Sequence, residues 1–191
     1  MLISEFCPES DSKVFTAAQV AHILARARPT IAGWIHRYDW LGIAPAVSGT
    51  TRLFSMSQIG MLTLLRQCID AGIEADLIDR ISEQMRAYVA WSYTDLRAKA
   101  RFEDWGADRR PYLPSQENPT SLFCYDAGSN GFGRGIGLKL VRKGEDVFGA
   151  AGVVKDLAGF PCSTVIVPLD EALRHAWIRA LWTSAGIQFE D

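Results

Sequence analysis

Apolar residues recur at three- and four-residue steps through most of the first hundred positions, a spacing that predicts a succession of helices. Thr16-Ala17-Ala18-Gln19 announces the first, because the threonine hydroxyl can cap a backbone N–H three residues on while the glutamine reaches back. Ala17, Val20, Ala21 and Leu24 then make one stripe. Arg28 precedes Pro29, whose ring drives the residue before it out of helical geometry, so the chain is expected to turn there. A second helix can restart at Pro29-Thr30, since proline is tolerated in a first turn. Ile31, Trp34, Ile35 and Tyr38 form its apolar stripe, leaving Thr30, Ala32, Gly33, His36 and Arg37 on the other face. Two short helices joined tightly, the second exposing small and basic residues, are what a helix-turn-helix needs to enter a major groove.

Between Ile43 and Phe54, Ser48-Gly49 separates two short β-prone runs and predicts a hairpin, the wing. Ser55-Met56-Ser57-Gln58 is a second capping box, opening a helix with Ile59, Leu62, Leu65 and Ile69 on one side and Met61, Leu64 and Cys68 broadening that face. Gly72 closes it. From Ile73 a longer helix carries Leu77, Ile81, Met85, Val89, Ser92 and Leu96 at helical steps and is expected to end near Trp105-Gly106. Pro111 to Pro119 reads as a linker. The period then changes to that of strands over 121–125, 136–140 and 163–167, with a turn at 143–146, before a closing helix bearing Leu173, Ala176, Trp177, Ala180 and Leu181 on one wide face. That helix is expected to pack on the sheet and on a second subunit.

In this order of elements, and most sharply in Arg52-Leu53-Phe54-Ser55 after the wing, the chain resembles the N-terminal domain of the MerR family of transcription regulators, over residues 14–100. Ala25-Arg26-Ala27-Arg28 stands where that family has a glycine-containing turn, Ala32 stands where it commonly has an arginine, and Tyr38 to Leu41 is about two residues longer than usual. The resemblance implies a homodimer on a near-palindromic promoter, joined through an antiparallel pair of the long helices along Leu77, Ile81, Met85, Val89 and Leu96. The expected fold class is α+β: an all-α winged helix-turn-helix over 12–73, a linking and dimerisation helix over 74–106, a linker over 107–120 and a small α+β effector or interaction domain over 121–191.

Charge points the same way. From Lys13 to Gly60 the chain holds five basic residues, Lys13, Arg26, Arg28, Arg37 and Arg52, against the single acid Asp39, whereas the whole chain is −2. A basic head on a weakly acidic protein fits a regulator of one operator better than a nucleic-acid coat. Arg52 is the candidate phosphate contact, helped by the hydroxyls of Thr50 and Thr51, with Thr30 and Arg28 at the start of the second helix. His36 and Arg37 would face the groove, Arg37 able to bind guanine by two hydrogen bonds. Ala32 and Gly33 permit close approach but supply no side-chain hydrogen bonds, so base reading should be sparse and DNA shape should carry more of the specificity.

With 191 residues, 48% apolar content and no run approaching the ~20 apolar residues of a membrane span, the chain reads as a cytoplasmic globular protein without a secretory leader. Cys7, Cys68, Cys124 and Cys162 lack metal-ligand spacing and read as reduced thiols; Gly131, Gly133, Gly135 and Gly137 lack the context of a phosphate loop and read as a hairpin loop. No cofactor and no catalytic constellation is expected. Two DNA-binding classes remain open beside a degenerate enzyme: a regulator with a small-molecule effector or RNA polymerase as partner, and an excisionase-like or architectural accessory factor.

Overall fold

Both expected capping boxes form. The computed structural model describes residues 8–44, 51–73, 75–99, 121–126, 136–141, 164–184 and 186. Helix α1 (Ala17–Ile23) starts where Thr16 Oγ1 accepts from the Gln19 backbone N–H at 3.3 Å and Gln19 Oε1 accepts from the Thr16 N–H at 2.8 Å. Its inward face is Val20, Ile23 and Leu24; Ala17, expected inside, is exposed, because the short helix turns its later residues to the core.

Helix α2 (Arg28–Arg37) begins at Arg28, ahead of the expected restart at Pro29-Thr30. Ala27, with φ −64° and ψ 141°, takes the extended geometry that the sequence assigned to Arg28, so Pro29 still sits in the first turn. The α1–α2 turn is held by two backbone bonds, Arg26 N–H to the Ala21 carbonyl at 3.0 Å and Ala25 N–H to the His22 carbonyl at 3.1 Å. This pairing places Ala25 in the left-handed region, at φ 47°.

A 3₁₀ turn (Asp39–Leu41) follows α2. Strand β2 (Leu53–Phe54) pairs antiparallel with β1 (Phe15–Thr16), Phe15 opposite Phe54, so the run expected as an arm of the wing also ties the start of the head to α3. Residues 45–50, with Thr50 and the Ser48-Gly49 turn, lie outside the described residues.

Helix α3 (Met56–Asp70) is the centre of the core. Met56, Ile59, Gly60, Met61, Leu62, Leu64, Leu65 and Cys68 are all buried, and buried Thr63 donates its hydroxyl to the Ile59 carbonyl at 2.8 Å. It ends, as expected, at Gly72 (φ 75°), with the same two-bond closure as α1. Helix α4 (Ala75–Lys99) packs along α3; its expected extension and the linker, 100–120, lie outside the described residues.

Strands β3 (Ser121–Asp126), β4 (Ile136–Val141) and β5 (Thr164–Pro168) form an antiparallel sheet in the order β4-β3-β5, with Phe123 opposite Lys139 on one side and Ile166 on the other. The 143–146 turn and most of the glycine-rich loop lie outside the described residues, while Gly137 pairs with Tyr125 inside the sheet. Helix α5 (Leu169–Ser184) touches β3 of the sheet, as expected, but packs more extensively elsewhere. Its wide face of Leu173, Ala176, Trp177, Ala180 and Leu181 lies in one core with the N-terminal helices, packed chiefly on α3 and also on α1. A helix this apolar finds its complement in α3, which α4 alone does not cover.

Candidate nucleic-acid interface

Helix α2 divides cleanly into two faces. Ile31, Ile35 and Tyr38 are buried and Trp34 packs against the core, while Arg28, Thr30, Ala32, Gly33, His36 and Arg37 are exposed. A methyl group placed on Gly33 would meet nothing within 4 Å, so no neighbour in the chain requires a glycine there.

An open groove of about 580 Å³ brings α2 and the segment before β2 together: Ala32, Ile35 and His36 line one side, Asp39, Gly42, Ile43 and Ala44 continue it, and Arg52 completes it. Arg52 is half-buried, and its Nε atom is buried without a hydrogen-bond partner among the described residues. The unpaired Nε carries the cost of an unsatisfied buried donor, while Arg52 as a whole lines the open groove. Thr51 is exposed beside it. Arg37, expected beside His36 on the groove-facing side, does not line this groove; its guanidinium carbon sits over the Tyr38 ring, 5.6 Å from the centroid. His36 lines the groove with Arg52 and its neighbour Arg37 does not, because one residue along a helix turns a side chain by about 100°.

The start of α2 offers less to an anion than expected. Ala27 makes no side-chain cap, Pro29 has no N–H, and the Thr30 and Ile31 N–H groups both donate to the Ala27 carbonyl, at 3.0 and 3.3 Å. What remains is the Arg28 N–H, its side chain and the Thr30 hydroxyl. Charge also shifts. Arg26, counted with the basic head, is bound by both carboxylate oxygens of Asp70 at 2.6 Å, leaving Lys13, Arg28, Arg37 and Arg52 against Asp39.

Two devices that fix this surface escaped the sequence reading. Trp40, just after α2, donates its indole N–H to Asp79 at 2.6 Å, and Arg86 donates to the Trp40 carbonyl at 2.6 Å, so α4 grips the end of α2 from two points about two turns apart. Gln58 of the second capping box also donates to the Gly42 carbonyl at 3.3 Å. The only signal was the extra length from Tyr38 to Leu41.

The stripe expected to join two subunits has a different partner. Ile81, Met85, Val89 and Leu96 are buried within the single chain, as is Ser92, because α4 lays this face on α3 and α5 rather than leaving it free. The Leu77 side chain lies outside those described. The face of α4 left open carries Ala87, Ala90, Trp91 and Thr94, with Trp91 51% exposed and its ring 5.9 Å from that of Tyr88.

Cys68 is fully buried in the core. Among the described residues no helix is long and apolar enough to cross a membrane. Comparison of the chain with protein-family models and with curated protein sequences gives no match.

Proposed function

We propose that the chain is a sequence-specific DNA-binding regulator of MerR-like type, with a winged helix-turn-helix formed by α1, α2 and the β1–β2 ribbon. One observation carries this reading: Ala32 and His36, on the exposed face of α2, share a groove with Arg52. Thr30 and Arg28 at the start of α2, with Thr51 and Arg52, would hold phosphates, while His36 would meet base edges and Ala32 and Gly33 would allow close approach. Arg37, stacked on Tyr38, would reach the backbone beside the groove. A homodimer on a two-fold operator would use the open α4 face around Trp91, and the segment 121–168 would carry sensing or polymerase contact.

An excisionase-like or architectural accessory factor is the second reading. Burial of Ile81, Met85, Val89 and Leu96 in the chain's own core favours it, since that stripe no longer supplies a dimer seam. Genome-wide footprinting separates the two. A regulator protects symmetric half-sites at promoters, about one helical turn or a multiple apart; an accessory factor protects and bends unsymmetric sites elsewhere. Absence of any protected site would count against both.

A further inference from the structure

A second cleft, of about 340 Å³, opens between the end of α1, the middle of α3 and α5. Ile23, Leu24 and Ala176 give it an apolar floor, each of them buried. Arg66 from α3 and Arg179 from α5 converge on it. A concave site with an apolar base and a few convergent polar groups holds a small molecule by its body and orients it by its head.

Arg66 is already aimed. Its Nη1 donates to the Leu24 carbonyl at 2.7 Å and its Nε to Asp70 at 3.2 Å, which fixes the plane of the guanidinium and leaves Nη2 without a partner among the described residues. Arg179 Nη1 approaches the neighbouring Ile23 carbonyl at 3.4 Å, so the two guanidinium groups meet at one helix end. Among the described residues Glu171 is the one acid lining the cleft; it lies 3.8 Å from His175, on the exposed rim.

We propose that this cleft binds a small organic acid, its carboxylate on Arg66 and Arg179 and its apolar body on the Ile23, Leu24 and Ala176 floor. The fork of a guanidinium matches a carboxylate in plane and spacing. A carboxylate that carries a hydrocarbon body would fill the apolar side of the cleft as well as engage the arginines, which an inorganic anion would not. Ala25 lines the same cleft, so the ligand would touch the turn that orients α2. Its effect on DNA affinity rests on the function proposed above; the binding itself does not.

The test is calorimetric titration of the full chain at constant ionic strength with sodium benzoate, and with benzyl alcohol and inorganic phosphate in separate arms. Saturable benzoate binding, with neither other probe matching it, is expected. Arg66→Gln should weaken benzoate about tenfold by removing a charge-assisted pair. Because Arg66 also closes α1, Gln67→Glu provides a second variant: it adds a like charge to the cleft wall and should weaken benzoate to a similar extent while the thermal transition stays cooperative. No saturable benzoate binding, phosphate binding equal to it, or unchanged affinity in Gln67→Glu would overturn the proposal. Benzoate binding by a chain that ignores DNA would sustain this site and remove only the DNA reading.

Discussion

The indole of Trp177 lies against the α-carbon of Gly60, filling, together with Val89, the space that a methyl group on that residue would need. The contact joins the last helix, the central helix and α4 at one point, and Trp177 also packs on Tyr93, with ring centroids 5.2 Å apart.

Gly60→Ala should therefore destabilise the chain. In a solvated helix the change would gain roughly 1 kcal/mol; here overpacking against a buried indole costs about 1–3 kcal/mol, so the net sign is unfavourable. Urea unfolding measures it. A raised midpoint would mean that Trp177 does not rest on Gly60.

Ala25 should respond in the opposite sense. It occupies, at φ 47°, the position that Gly72 fills at the end of α3. Relief of left-handed strain exceeds the added freedom of the unfolded chain, so Ala25→Gly should stabilise by about 0.5–1 kcal/mol. An unchanged or lowered urea midpoint would contradict the strained turn.

Met85→Asp should abolish cooperative folding rather than yield folded monomers. Met85 is 3% exposed in the core, and an unpaired carboxylate there costs several kcal/mol. Far-ultraviolet circular dichroism during a thermal melt reads the outcome; a folded variant with an intact transition would return Met85 to a subunit seam.

Gly33→Ala separates stability from binding. The site is open, so the helix should gain up to about 1 kcal/mol. If the α2 face meets DNA at close range, the same methyl group lowers affinity. Gains in both would show that α2 stands clear of the duplex.

The parts of the fold governed by local chemistry were legible in the sequence. Thr16 with Gln19, Ser55 with Gln58, and Gly72 each set a helix boundary through bonds spanning three to five residues. Non-local packing was not legible. The spacing of Ile81, Met85, Val89 and Leu96 reports one buried face but not what buries it, and a core stripe looks the same as a coiled-coil seam over a few turns. In the same way, nothing local reveals that Trp177 belongs with Gly60, 117 residues earlier. At the candidate interface the exposed face of α2 followed from periodicity, whereas the choice between His36 and Arg37 as the neighbour of Arg52 depended on where the chain returns after residue 44.

The salt dependence of affinity for one duplex, measured for the parent chain, Arg52→Ala and Arg26→Ala, tests most directly whether the groove meets DNA. Arg52→Ala should weaken binding and reduce the slope of log affinity against log salt by about one unit, as expected for one lost phosphate contact. Arg26→Ala should leave the slope unchanged, because Arg26 is paired with Asp70. Equal slopes for the parent and Arg52→Ala, or no binding even at low salt, would contradict a DNA-reading surface built on α2 and Arg52.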